Sequence, residues 1–161
     1  MITPTNENVD LNPSQQDMRE LQYLYNSNEF YILENKARGL LKKYNKSVEL
    51  QNILGFALSS QRKLIDATKI FETIIKTQPD FYFAYNNMGN VLKDLCKLDE
   101  AKIYYQKCIK INPNYIEAYI GLGKIFLDLN KLDKSAAVFK QALKLKPENG
   151  ELHRRLSQVV K

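Results

Sequence analysis

The stretch from Tyr85 to Pro113, YNNMGNVLKDLCKLDEAKIYYQKCIKINP, is the plainest copy of a unit that recurs along the chain. Two residue types mark the recurrence, and each series advances by 34 residues: glycine at Gly55, Gly89 and Gly123, and proline at Pro79, Pro113 and Pro147. A fixed period of this length is typical of repeat proteins, in which each unit buries its apolar face against the next. The period therefore predicts a linear array of similar units.

The unit resembles the tetratricopeptide repeat family at seven positions, which are Tyr85, Met88, Gly89, Leu92, Ala101, Tyr105 and Pro113. The resemblance implies an all-α fold, a right-handed α-solenoid of antiparallel helix pairs, with about four repeats and a C-terminal capping helix. The glycine of each first helix is then expected to let the second helix approach closely, where a Cβ would collide.

The repeat pattern divides the chain into a leader and one domain. Residues 1–13 are polar, contain two prolines and lack apolar periodicity, so we expect a disordered leader. The domain is expected over residues 14–161, with repeats at 14–45, 46–79, 80–113 and 114–147 and a capping helix at 148–161. The first repeat is degenerate, because Leu21 and Leu33 stand where the family prefers glycine and alanine.

Composition limits the classes of function. The chain has 161 residues and a formal charge of +6, and it lacks both an apolar run of roughly 18 residues and a secretory signal pattern. Two cysteines, Cys96 and Cys108, do not make a disulfide framework, and we expect both to be buried thiols. A reducing compartment, the cytoplasm, fits that expectation.

Residue types that carry catalysis or bind metals are sparse. His153 is the only histidine, so neither a metal cluster nor a nucleophile–base arrangement has a recognisable spacing. Gly121 and Gly123 lack the third glycine and the preceding strand of a dinucleotide fingerprint. The sequence thus predicts no catalytic residues, no metal and no cofactor.

In the family, first helices line a concave groove, and helical phase then gives the candidate binding residues of this chain. They are Asn52, Phe56, Phe83, Asn86, Asn87, Asn90, Ile120, Lys124, Arg154 and Arg155. The three asparagines of 86–90 are expected to offer amides to an extended peptide, and the alternative is that they form a hydrated surface. The side chains of Lys124, Arg154 and Arg155 are expected to form a loose subsite for an anionic group. The family's clamp for chaperone tails is disfavoured, since Gly121 and Glu151 interrupt it.

The resulting hypothesis is a non-catalytic protein-interaction scaffold that binds an extended peptide or a partner helix. An alternative is the accessory segment of a longer enzyme, such as a sulfotransferase or glycosyltransferase, because LHRRLS at 152–157 resembles the end of a repeat segment that precedes a sulfotransferase-like domain. The mixed sign of the groove argues against nucleic acid, and no membrane partner is expected. Self-association remains open through Leu21 and Tyr25 at one end or Val159 and Val160 at the other.

Overall fold

The structure is a computed structural model that describes residues 12–160. Within that range the chain forms nine α-helices and no strand. Their bounds are α1 Gln15–Asn26, α2 Phe30–Lys43, α3 Val48–Ser60, α4 Leu64–Thr77, α5 Tyr82–Asp94, α6 Leu98–Ile111, α7 Ile116–Asp128, α8 Leu132–Leu145 and α9 Gly150–Val159. Of the predicted leader, residues 1–11 lie outside the described residues. No helix in the described range is long and apolar enough to cross a membrane.

Successive helices pack as pairs, α1 with α2, α3 with α4, α5 with α6 and α7 with α8, and each pair packs on the next. The first helices also contact each other, α3 with α5 and α5 with α7. Such contacts between neighbours in sequence produce an all-α helical repeat solenoid, as the sequence predicts. The terminal helix α9 packs on α8.

The glycines of the first helices allow the close pairing. A Cβ built on Gly89 would lie 2.8 Å from the ring of Tyr105, and one on Gly55 would lie 2.6 Å from the ring of Phe71. Both rings are fully buried. A Cβ on Gly121 of α7 would meet the ring of Tyr105 more closely still, so this tyrosine lies between α5 and α7 and depends on a glycine in each.

A side chain near the start of each first helix, beginning with α3, donates a hydrogen bond to a carbonyl six residues earlier, in the preceding loop. The four bonds run from Gln51 Nε2 to Asn45 O at 3.2 Å, from Tyr85 Oη to Pro79 O at 2.9 Å, from Tyr119 Oη to Pro113 O at 2.9 Å, and from His153 Nε2 to Pro147 O at 2.7 Å. The donors follow the 34-residue period although their side chains differ. His153 therefore has a structural partner at an exposed position.

The turn inside each helix pair contains a residue in the left-handed region. These residues are Asn28 at φ 57°, Arg62 at φ 64°, Cys96 at φ 60° and Asn130 at φ 54°. This conformation carries the residue beyond the end of its helix, so the side chain of Cys96 is exposed. The expectation that both cysteines are buried is wrong for Cys96, whereas Cys108 is fully buried.

A charged network joins the first and second pairs. The Glu34 carboxylate is buried and accepts hydrogen bonds from Lys63 Nζ at 2.7 Å, Gln61 Nε2 at 2.8 Å and Arg38 Nε at 2.9 Å. Although burial alone would raise the pKa of Glu34, the bonds from Lys63, Arg38 and Gln61 outweigh it and lower the pKa to about 2. The least regular repeat is thus attached by polar contacts as well as by Leu21 and Leu33, which are both buried.

Candidate functional site: a groove across the first helices

The first helices enclose a groove with a volume of about 530 Å³. Its lining comes mainly from α1, α3, α5 and α7, and it comprises Gln22, Tyr25, Asn52, Ile53, Phe56, Phe83, Asn86, Asn87, Asn90, Lys93, Tyr105, Tyr115, Glu117, Ile120, Gly121, Lys124 and Glu151. Eight of the ten residues chosen from the sequence lie in this lining. Helical phase therefore brings most of the candidates together.

The amides of the groove differ in environment. Asn87 Nδ2 donates to Asn52 Oδ1 at 2.9 Å, which joins α5 to α3. Asn90 is exposed, and its Oδ1 accepts a 2.7 Å hydrogen bond from Tyr105 Oη. Asn86 is 6% exposed, so its amide is much less accessible than those of Asn87 and Asn90, and its contact with a ligand stays a prediction.

Aromatic rings form one part of the lining. Tyr25 and Phe56 have ring centroids 4.6 Å apart, and Phe83 meets Tyr115 edge-on at 5.4 Å. Phe83 is 37% exposed, so an apolar surface remains accessible beside the amides. The pKa of Tyr115 is raised by burial, and the charge of Glu117 raises it further; this tyrosine therefore stays a neutral hydrogen-bonding group.

Cations gather at the α7–α9 side. The pKa of Lys124 is lowered by burial first and then by the charge of Arg155, with smaller contributions from Lys93 and Arg154, while Glu151 opposes the shift. Lys124 Nζ lies 3.9 Å from a Glu151 carboxylate oxygen, which is a loose ion pair. The surplus of positive charge around Lys124 can accept an anionic group.

Arg154 and Arg155 depart from their predicted place. Neither lines the groove. Arg155 Nε donates to Glu151 Oε1 at 2.9 Å, an i,i+4 pair on α9, and Arg154 is exposed. Their effect on the groove is electrostatic, through Lys124 and Glu151. A direct contact from either guanidinium to a groove ligand stays a prediction.

Several lining residues are not among the ten chosen from the sequence, and Lys93, Tyr105 and Tyr115 show why. Lys93 is one turn beyond Asn90 on the same face of α5, so its helical phase was a usable signal. Tyr115 lies in the loop before α7, where helical phase gives no direction. Tyr105 belongs to a second helix and reaches the groove because Gly89 and Gly121 leave room for its ring.

Residues that could hold a metal ion do not cluster within 12–160. The groove instead presents amides, aromatic rings and charges of both signs. That combination can form hydrogen bonds, apolar contacts and ion pairs with a ligand.

Models of a known protein family match two successive segments of the chain. The tetratricopeptide repeat model matches residues 82–115, and a second model of the same repeat matches residues 116–149. The chain is a tetratricopeptide repeat protein. Proteins built from these repeats are generally protein-interaction scaffolds. No curated protein matches the sequence at a significant level.

Solved structures share the fold of this tetratricopeptide repeat protein. A thermophilic TPR protein of Thermus thermophilus superposes with a TM-score of 0.82 at 19% identity, covering 90% of this chain and 80% of its own. MamA superposes with a TM-score of 0.71 at 18% identity, covering 86% and 81%. The first TPR of Spaghetti (RPAP3), bound to the HSP90 peptide SRMEEVD, superposes with a TM-score of 0.66 at 20% identity, covering 70% and 91%. At these identities the likeness concerns the fold.

Proposed function

We propose that this protein is a non-catalytic interaction scaffold that binds an extended peptide of a partner protein in the groove. The observation that carries the proposal is the bond from Asn87 to Asn52. It fixes two amides side by side and leaves Asn87 Oδ1 and Asn52 Nδ2 without partners among residues 12–160. One acceptor and one donor thus lie in a fixed arrangement on the lining.

An extended peptide fits this arrangement better than a helix does. Its backbone N–H and C=O groups are unpaired and can bond to the two amides, whereas a helix satisfies most of its own. The rings of Phe56 and Phe83 add apolar contact, and the cations around Lys124 favour an acidic residue in the peptide. A preformed groove also lowers the ordering cost of binding.

We expect the bound peptide to be of another kind than the tail of a chaperone. The RPAP3 neighbour is bound to an HSP90 peptide, but the present chain has Gly121 and Glu151 at two positions of the family's carboxylate clamp. Both cysteines are free thiols, which supports a reducing compartment such as the cytoplasm as the place of binding.

The test is selection from a display library of random dodecapeptides on the intact protein. We expect enriched sequences, and we expect the Asn52→Ala, Asn87→Ala double variant to lose at least about tenfold in affinity for them, since two hydrogen bonds of about 1 kcal/mol each are removed. Asn114→Ala, outside the groove, is the matched control. An absence of enrichment, or equal affinity for all three proteins, would contradict the proposal.

A further inference from the structure

Asn86 has a hydrogen-bonding atom with nothing to bond. The residue is buried, being 6% exposed, and it lines the groove. Its Oδ1 is the one buried side-chain oxygen or nitrogen in the described part of the chain that has no partner. Leaving such an atom unpaired costs about 1–3 kcal/mol. A ligand atom that donates a hydrogen bond here would remove that cost.

Glu117 supplies a negative charge at the same wall. It is exposed, lines the groove, and has no ion pair within the described range. Asn86 lines the same groove, and the contact of Phe83 with Tyr115 joins the start of α5 to the start of α7 at this place. An amide with an unpaired acceptor and an unpaired carboxylate therefore both belong to the lining of the groove.

Aromatic rings complete this corner. Phe83, one turn before Asn86 on α5, contacts Tyr115, which comes just before Glu117 in the chain. Tyr82 stacks on Phe83 at 4.1 Å. The faces of such rings attract ammonium and guanidinium groups. Carboxylate, amide oxygen and ring faces all favour the same kind of ligand group, a cation with N–H donors.

We propose that Asn86, Glu117 and the Phe83–Tyr115 pair form a subsite for the basic side chain of a lysine or arginine in the bound peptide. The inference rests on the proposed peptide-binding function and adds a sequence preference to it. The carboxylate of Glu117 pairs with the cation, and the rings cover its apolar stem. The Asn86 side chain rotates toward the groove, where its Oδ1 accepts one of the N–H groups of the cation.

The remaining charges of the groove give the peptide a direction. Lys124 lies seven residues after Glu117 on α7, about 10 Å along the helix, and Lys93 is two turns from Asn86 on α5. These cations repel a basic group from their side of the groove and attract an acidic one. The groove thus favours a peptide that has a basic residue and an acidic residue separated by a few positions. This pattern differs from a uniformly acidic peptide, although the chain carries a formal charge of +6.

The experiment is an NMR titration of the isotope-labelled protein with blocked tripeptides. The probes are acetyl-Gly-X-Gly-amide with X as lysine, arginine, norleucine or glutamate. The lysine or arginine probe should shift the side-chain amide signals of Asn86 saturably and bind several-fold more tightly than the norleucine probe. Glu117→Gln should weaken that binding about five- to tenfold, because a charge-assisted hydrogen bond is lost.

The matched control is Glu49→Gln, which changes the equivalent position two repeats earlier and should leave binding unchanged. Equal binding of norleucine, no change in Glu117→Gln, or an unmoved Asn86 signal would overturn the proposal; the last result would mean that Asn86 takes no part in binding the probe. Circular dichroism establishes that each variant is folded. If library selection enriches peptides without basic residues while the probes fail, the subsite is wrong and the peptide-binding function stands. If the probes bind and selection fails, the function is wrong and the subsite stands.

Discussion

Asn87 Nδ2 and Asn52 Oδ1, 35 residues apart in sequence, form a 2.9 Å hydrogen bond between the first helices of two successive repeats. The bond lies at the lining of the groove, where two neighbouring repeats meet. It therefore contributes both to the stacking of repeats and to the orientation of the free amide groups.

A double-mutant cycle should show that Asn52 and Asn87 are energetically coupled. Asn52→Ala and Asn87→Ala should each lower the free energy of unfolding by about 1 kcal/mol, and the double variant should lose less than the sum, by about 0.5–1.5 kcal/mol. The measurement is urea unfolding of the unchanged protein, the two single variants and the double variant. Strictly additive losses would show that the bond does not hold the repeats together.

Alanine substitutions at two glycines should change the free energy of unfolding in opposite directions. Gly121→Ala places a Cβ against the buried ring of Tyr105 and should lower the free energy of unfolding by about 1–3 kcal/mol. Gly39, inside α2, has nothing within 4 Å of a built Cβ, so Gly39→Ala should stabilise the protein by up to about 1 kcal/mol. Thermal and urea unfolding measure both. A neutral Gly121→Ala would contradict the tight packing of Tyr105 between α5 and α7.

Glu34 should make stability depend on pH in the acid range. Its folded-state pKa is lowered to about 2 from a usual value of 4.5, so its contribution is present above about pH 4.5 and is lost as the pH falls toward 2. The shift corresponds to about 3 kcal/mol. Urea unfolding between pH 6 and pH 2.5 should therefore show a smaller pH dependence for Glu34→Gln than for the unchanged protein. Glu72→Gln, an exposed substitution on α4, is the control and should retain the full dependence.

The two thiols should react at very different rates. Cys96 is exposed, whereas Cys108 is buried and has a pKa raised to about 12, chiefly by burial. A thiol reagent at pH 8 should label one cysteine of the native protein quickly and the second only after unfolding. Peptide mapping should assign the fast site to Cys96, and Cys96→Ser should abolish it. Rapid labelling of Cys108 in the native protein would contradict the packing of α5, α6 and α7.

The sequence predicts the fold through its period and the groove through helical phase. Gly89 and Pro113 define the repeat, and Asn87 and Lys124 then fall on the groove because the first helices have the same orientation in every repeat. The burial of Asn86 was not predictable in this way, since helical phase does not give how closely the neighbouring helices pack around one residue.

Non-periodic contacts were equally hidden. The Glu34 carboxylate is joined to Gln61, 27 residues later, and to Lys63, 29 residues later. No repeat position specifies these contacts. Cys96 follows the period, but its exposure comes from a left-handed backbone conformation that asparagine and arginine adopt in the other turns. Arg155 is the opposite case, because its pairing with Glu151 four residues earlier was readable from the sequence.

The hydrogen bonds to the loop carbonyls have an evolutionary consequence. Their donors are Gln51, Tyr85, Tyr119 and His153. Because each junction uses the same bond at the same distance along the chain, an in-frame duplication or deletion of one whole unit joins a donor to an equivalent carbonyl. Recombination can thus lengthen or shorten the array without a new junction having to arise. Descendants of such events would inherit grooves of different reach, in which each inserted unit brings its own side chains to the partner.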